Sequence, residues 1–298
     1  MQRMKLKTGV LVVVMGAVLM AGCARQSDIS FFVLVKSSNY AQDSSGVLTL
    51  LNYHFFSEIF LLPEGSLSSA HLIRLDQLHE PMAYVFRGDN YYFEGGHFDS
   101  LEELDKAYPN GTFAFDIEAP SVRLRQEALR LEGPGGRTDI PTPITISFHQ
   151  HGEAISPFMI DPTETLTVRW SAYSNGQADP RGIVDDMIFV VIADCHGERV
   201  FHTGLPFQGD YLTYETTEIL VEAGTLKTGH PYAAFVEFPH VVDSRIINAV
   251  PGFTSYATAT YVDLRTLGPA SDASCPEAPP PMDTGQTDRM EPVQVRPD

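Results

Sequence analysis

The chain is 298 residues long, 43% hydrophobic and 19% charged, with 38 Asp and Glu against 20 Lys and Arg and a formal net charge of −18 at pH 7. This balance argues against nucleic acid as a partner, because a phosphate-binding surface needs clustered Lys and Arg and the basic group Arg123, Arg125 and Arg130 is interspersed with acids. It argues equally against an anionic lipid surface docking on the folded body, and no spacing of acids around a glycine matches a calcium loop; Asp179, Asp185 and Asp186 come nearest and read as a solvated turn.

Residues 1 to 22 have the order of a secretory signal peptide: Arg3, Lys5 and Lys7, then an apolar run from Val10 to Leu19, then Met20-Ala21-Gly22. A membrane-spanning helix needs about 20 apolar residues, and the shorter run here, broken by glycine, is expected to be cleaved. Cys23 directly after Ala-Gly resembles the lipobox of bacterial lipoproteins. The resemblance implies that Cys23 carries the lipid, that the membrane is met through this anchor, and, from Ala24, that the destination is the outer membrane. Loss of the three leader cations, with no acid in residues 1 to 22, takes the net charge from −18 to −21. Residues 23–28 are a short tether; its five residues after Cys23 reach at most about 18 Å.

Residues 29–132 read as a β-rich domain with one short helix. Phe31 to Val35 is a continuous apolar run, Val47 to Leu51 and Phe55 to Leu62 are further strand candidates, and Met82 to Phe86 alternates. Tyr91-Tyr92-Phe93 supplies the ligand-binding candidates Tyr91 and Tyr92: neighbouring strand residues project to opposite faces, which leaves one or two rings exposed to stack on a sugar, with packing in the core as the alternative. Ser100 and Glu103 form a capping box for a helix that places Leu101 and Leu104 on one face and stops before Pro109. Asn110-Gly111 turns the chain into Thr112 to Glu118, with Phe113, Phe115 and Ile117 on one face. Val122 to Leu131 fits both strand and helix spacing and is assigned as a strand, because a turn at Ala119-Pro120 returns it against its predecessor.

A Gly and Pro cluster at residues 133–143 reads as a domain linker. Residues 144–267 then show seven strands, near 144 to 150, 165 to 171, 186 to 194, 198 to 203, 216 to 222, 231 to 239 and 255 to 264, a count that suggests a sandwich of two sheets. His149 and His151, two apart on a strand, are weak metal candidates, weighed against a solvent-facing role opposite Ile144, Ile146 and Phe148. Leu166-x-Val168-x-Trp170 resembles the second strand of a fibronectin type III domain, and Leu226 with Tyr232 resembles the pair before that family's sixth strand. The resemblance implies an Ig-like sandwich in which the Tyr232 hydroxyl ties a corner to the backbone; the extended segment Val241 to Phe253 departs from it. The chain as a whole resembles two-module secreted proteins of Gram-negative bacteria.

Cys195 and Cys275 remain once Cys23 is lipidated, and in an oxidising compartment they are either one bridge or two thiols. Residues 268–298 hold seven prolines and almost no large apolar side chain, and read as a disordered tail. No nucleophile elbow, zinc-protease motif or phosphate-binding loop occurs, and no cofactor is expected. The sequence therefore points to a mainly β, lipid-anchored envelope protein that binds an envelope protein or polysaccharide through its sandwich loops. The alternatives are a structural lipoprotein without a soluble ligand and a hydrolase whose carboxylates only the fold would bring together. Growth on labelled palmitate should label the full chain and leave Cys23→Ser unlabelled; equal labelling of the two would show that Cys23 is not the anchor.

Overall fold

The computed structural model describes residues 27–75, 80–132 and 140–269. The leader with Cys23, the first seven residues of the expected linker (133–139), Cys275 and nearly all of the tail lie outside the described residues. The described chain is mainly β with one short helix. Its strands are β1 (Ile29–Gln42), β2 (Leu48–Leu61), β3 (Ser69–Arg74), β4 (Met82–Ala83), β5 (Val85–Phe86) and β6 (Asn90–Phe98), then helix α1 (Leu101–Ala107), then β7 (Thr112–Glu118) and β8 (Arg123–Arg130). They continue through β9 (Ile146–Gln150), β10 (Glu153–Ile155), β11 (Leu166–Trp170), β12 (Met187–Asp194), β13 (Arg199–His202), β14 (Leu212–Thr213), β15 (Glu218–Val221), β16 (Pro231–Ile247) and β17 (Val250–Arg265).

In the second half the seven expected strands form two sheets. β9, β11 and β15, with short β10 on the edge, face β13, β12, β16 and β17. Ile146, Phe148, Leu166, Val168 and Trp170 from one sheet meet Ile188, Val190, Ile192, Tyr232, Ala234 and Val236 from the other in one buried cluster. This is an Ig-like sandwich. The Tyr232 hydroxyl accepts a hydrogen bond from the Lys227 amide at 2.6 Å, and the Trp170 indole N–H donates to the Thr216 carbonyl at 3.0 Å, so both buried aromatic residues satisfy their polar ends.

The boundary expected at residues 133–143 does not divide the sheets. A single large sheet runs β13-β12-β16-β17-β1-β2-β6-β5 through both halves of the chain. β1 pairs in parallel with β17, from Phe32 opposite Gly252 to Gln42 opposite Val262, and β2 pairs antiparallel with β1. The segment Val241 to Phe253 that departs from the fibronectin pattern is the distal half of a long hairpin, β16 and β17, turned at Asn248 and Ala249, both with positive φ (49° and 67°). That distal half leaves the Ig-like sandwich and builds a second one. There the sheet β4-β3-β7-β8 covers the same face of the large sheet, and Phe113, Phe115, Ile117 and Leu124 pack with Phe32, Leu34, Phe55, Val242, Val250 and Tyr256.

β1 is buried along almost its whole length because it lies in the interior of this sheet with both faces covered, which is why its sequence is a continuous apolar run rather than an alternation. Its buried Lys36 donates to Asp105 of α1 at 2.5 Å and to Asn110 at 2.7 Å, and the Gln42 side chain exchanges two 2.7 Å hydrogen bonds with the backbone of Ile146 at the start of β9. α1 forms with Ser100 capping the Glu103 amide, as read from the sequence, but only Leu104 is buried; Leu101, in the first turn, is exposed. The two strand candidates Val47 to Leu51 and Phe55 to Leu62 are one strand, β2. Asp28 accepts from the Ser121 amide at 2.7 Å, so the folded body begins at the end of the tether.

Gly252 is where β1 closes onto β17. A Cβ there would lie 2.3 Å from the ring of Phe32, itself 0% exposed and in contact with Phe115. Gly252→Ala should therefore destabilise the protein by about 1–3 kcal/mol through overpacking, read as a lower urea midpoint with an unchanged m-value, and Phe32→Leu in the same chain should recover part of the loss. A Gly252→Ala midpoint equal to that of the parent would contradict the close approach.

Candidate functional site

Both four-stranded sheets cover one face of the large sheet. The opposite face is concave, and it encloses a cavity of about 300 Å³ lined from both halves of the chain. The sheet curls so far that Arg199 on β13, at one edge, comes within 3.8 Å of Asp89, in the turn between β5 and β6 at the other. As an exposed pair it adds little stability, but it marks how nearly the sheet closes. Phe31, Phe56, Tyr92, Phe189, Phe235 and Tyr261 supply most of the aromatic wall.

Besides Asp89 at the mouth, two carboxyl groups face this cavity. Glu58 lies on β2 between Val33 and Tyr92 of the neighbouring strands, and accepts a 2.7 Å hydrogen bond from the Asn90 side chain. Glu237 lies on β16 between Phe189 and Ala259 and has no hydrogen-bond or ion-pair partner among the described residues. Each keeps some surface open to the cavity yet is ringed by protein on all sides, because the cavity is concave. Burial pushes Glu58 up to about 7 against the opposing pull of Arg199 and Arg87. Burial, reinforced by the charge of Glu58, pushes Glu237 up to about 8. The Arg87 guanidinium stacks 3.9 Å from the centre of the Tyr92 ring, and the buried Ser255 hydroxyl on the cavity floor has no partner among the described residues.

One wall carries a second group. β6 has a bulge opposite Phe55 and Phe56 of β2, so that Gly95 is the extra residue; a Cβ there would meet the Phe55 ring at 2.5 Å. Without it, residues 94, 96 and 98 would share a face; with it, His97 is re-aimed beside His54 and Glu94. His54 Nε2 is 2.7 Å from Glu94 Oε1, the two imidazoles stack at 4.2 Å and 9°, and the ligand atoms of all three side chains lie within 4.8 Å of one another. Stacked rings hold their in-plane lone pairs in parallel planes, so a shared metal ion would require one ring to leave the stack. Burial alone would raise the Glu94 carboxyl, but the hydrogen bond and charge of His54, with the Gly96 amide and His97, hold it below the usual carboxylate range.

Of the residues singled out from sequence, Tyr92 lies in this cavity wall, 5% exposed, whereas Tyr91 points to the other face, packs on Phe86 and donates to the Leu67 carbonyl at 3.2 Å. His149 lies 3.1 Å from the Ser147 hydroxyl on β9. His151 has left the strand with φ 52° in the turn to β10, 3.7 Å from Glu164; the two belong to no metal-type grouping among the described residues. Asp179 and Asp186 are occupied with structure. Asp179 holds the amides of Arg181, Ile183 and Val184 and the Ser244 hydroxyl, and Asp186 holds His240 at 2.7 Å and the Val241 amide at 2.7 Å. Cys195 is 3% exposed and disulfide-bonded; Cys23 and Cys275 lie outside the described residues. The reading from sequence missed Glu58, Glu237, His54, Glu94 and His97. Only Gly95-Gly96, a bulge signal, hinted at any of them.

No protein-family model matches the chain, and no curated protein matches it. Three solved structures are similar only distantly. One described as a cytokine receptor complex is 14% identical over 74% of this chain and 94% of its own, with a TM-score of 0.22. The BSP domain of a biofilm-associated protein is 10% identical over 81% of this chain and 30% of its own, with a TM-score of 0.19. The IG1 and IG2 domains of DIP-gamma are 12% identical over 76% of this chain and 94% of their own, with a TM-score of 0.19. The fold class rests on the strand order and packing described above.

The raised carboxyls set a sign for stability. In the unfolded chain Glu237 ionises near 4.5, and in the folded protein near 8, so the folded state holds the extra proton and stability falls as pH rises between these values. Glu237→Gln removes that loss. The variant should match the parent near pH 4 and exceed it by about 1–3 kcal/mol above pH 8, measured by urea unfolding at each pH; a difference that does not change with pH would refute the assignment.

Proposed function

We propose that this is a non-catalytic binding protein of the bacterial cell envelope, anchored through Cys23, whose binding site is the concave face of the large sheet. The observation that carries this reading is the cavity of about 300 Å³, walled by aromatic rings and holding polar groups at defined positions. Concave, mostly apolar sites with a few placed polar groups are where small ligands bind. On this reading the ligand lies inside the curled sheet rather than on the sandwich loops, and the outer surface of the two sandwiches is left for an envelope protein or polysaccharide.

A second reading, hydrolysis, is favoured by one observation: Glu58 and Glu237 face one cavity and burial raises both carboxyls toward neutral pH, the range in which a carboxyl serves as a general acid. Turnover of aryl glycosides or esters that is abolished in both Glu58→Gln and Glu237→Gln would establish it and displace the binding reading.

Binding is tested with N-phenyl-1-naphthylamine, whose fluorescence rises in apolar surroundings. The full chain should bind it saturably at about one site. Ala259→Phe, which fills the cavity beside Glu237, should lower the affinity at least about tenfold, equivalent to about 1.4 kcal/mol. Saturable binding unchanged in Ala259→Phe would place the probe elsewhere and remove the cavity as the site.

A further inference from the structure

We infer that the cavity takes an organic cation, an amine or quaternary ammonium with an apolar body, with its charge on Glu237 and its body on the aromatic wall. The inference rests on the reading of the cavity as a binding site and adds the class of ligand.

The argument is one of an unmatched carboxyl, which a bound cation would favour in its ionised form. The cavity lining contains two guanidinium groups, and both are committed at the end where Glu58 lies. Arg199 lies beside Asp89 across the mouth, and Arg87 lies over the Tyr92 ring. Glu58 has Asn90 as a donor and both arginines as neighbours. Among the described residues Glu237 has neither donor nor cation, and the charge that acts on it is the like charge of Glu58. Such a carboxyl is costly to the folded protein, and a cation brought by a ligand is what would offset that cost. The side chains around it are suited to the rest of such a ligand. Phe189 and Ala259 flank Glu237 on the neighbouring strands, and Phe235 precedes it on the same face of β16. Aromatic faces attract alkylammonium groups through the ring quadrupole, while the small side chain of Ala259 leaves room over the carboxyl. The net charge of −18 raises the local concentration of cations around the protein as a whole.

The test compares benzyltrimethylammonium with its neutral carbon isostere, neopentylbenzene, and with the anion 4-phenylbutyrate, each titrated against the full chain by ligand-observed NMR at pH 9, where Glu237 is ionised. The two isosteres share shape and apolar area and differ in charge alone. The cation should bind at least about tenfold tighter than the isostere. Glu237→Gln should reduce the cation to the affinity of the isostere and leave isostere binding unchanged, and Glu58→Gln should retain the preference. Phe235→Ala should weaken both, and an unchanged circular-dichroism spectrum shows that each variant is folded. Equal binding of cation and isostere, or a cation preference that survives Glu237→Gln, overturns the inference and leaves the cavity as a binding site. Tighter binding of 4-phenylbutyrate overturns it in favour of Arg87 and Arg199. Binding of none of the three overturns the inference, while the reading on which it rests stands or falls separately with the N-phenyl-1-naphthylamine titration.

Discussion

The parallel pairing of β1 with β17 is the constraint on which the rest of the molecule depends. β1 is apolar toward both faces, so a strand with one solvated face could not take its place; it needs a neighbour on each side, a sheet over one face and the curled wall of the cavity over the other. β2 supplies one neighbour. The other comes from the far end of the chain, where the β16 and β17 hairpin is twice the length an Ig-like sandwich can use. The surplus half of that hairpin would expose Phe253, Tyr256 and Val242 if it stood alone. Two segments, neither of which can be buried locally, satisfy each other. The cost is kinetic: the contacts that complete the sheet are separated by more than two hundred residues, and loop closure must precede them.

This explains which features were legible in the sequence. Local patterns were: the alternation of Phe113, Phe115 and Ile117, the cap at Ser100, the seven strands after residue 144, and the Leu226 and Tyr232 spacing all depend on neighbours within a few residues. Strand pairing between distant segments leaves no local mark. Residues 133–143 have the composition of a linker, and composition carries no information about whether the sheets on either side are joined. The continuous run Phe31 to Val35 was the one clue, since it demanded cover on both faces, but it did not say by what. In the hairpin, Asn248-Ala249 adopts the two positive φ values that Asn-Gly usually advertises, so the extended segment Val241 to Phe253 carries no turn signal in its sequence.

The site was less legible for the same reason, compounded. Its walls come from strands in both halves, and glutamates among 38 acids in the chain carry no signal until the fold places two of them in one concavity. Tyr92 was found through its neighbours, but whether Tyr91 or Tyr92 faced the cavity depended on the register of β6 against β2. That register is itself shifted by the bulge at Gly95, which re-aims His97 and so assembles His54, Glu94 and His97 from positions that a regular strand would separate.

Placing the cavity on the shared sheet couples binding to the joint between the two halves. Phe31, Val33 and Val35 on β1 and Phe253 and Ala259 on β17 are at once the parallel pair and the floor of the cavity. A ligand that binds only the curled sheet stabilises the folded state by mass action, and here that stabilisation falls on the junction itself rather than on either sandwich. The unpartnered Glu237 acts in the opposite direction, weakening the fold where a ligand would strengthen it. A carboxyl without a partner among the described residues, set into the surface that both halves share, makes the junction the part of the molecule most responsive to what occupies the cavity.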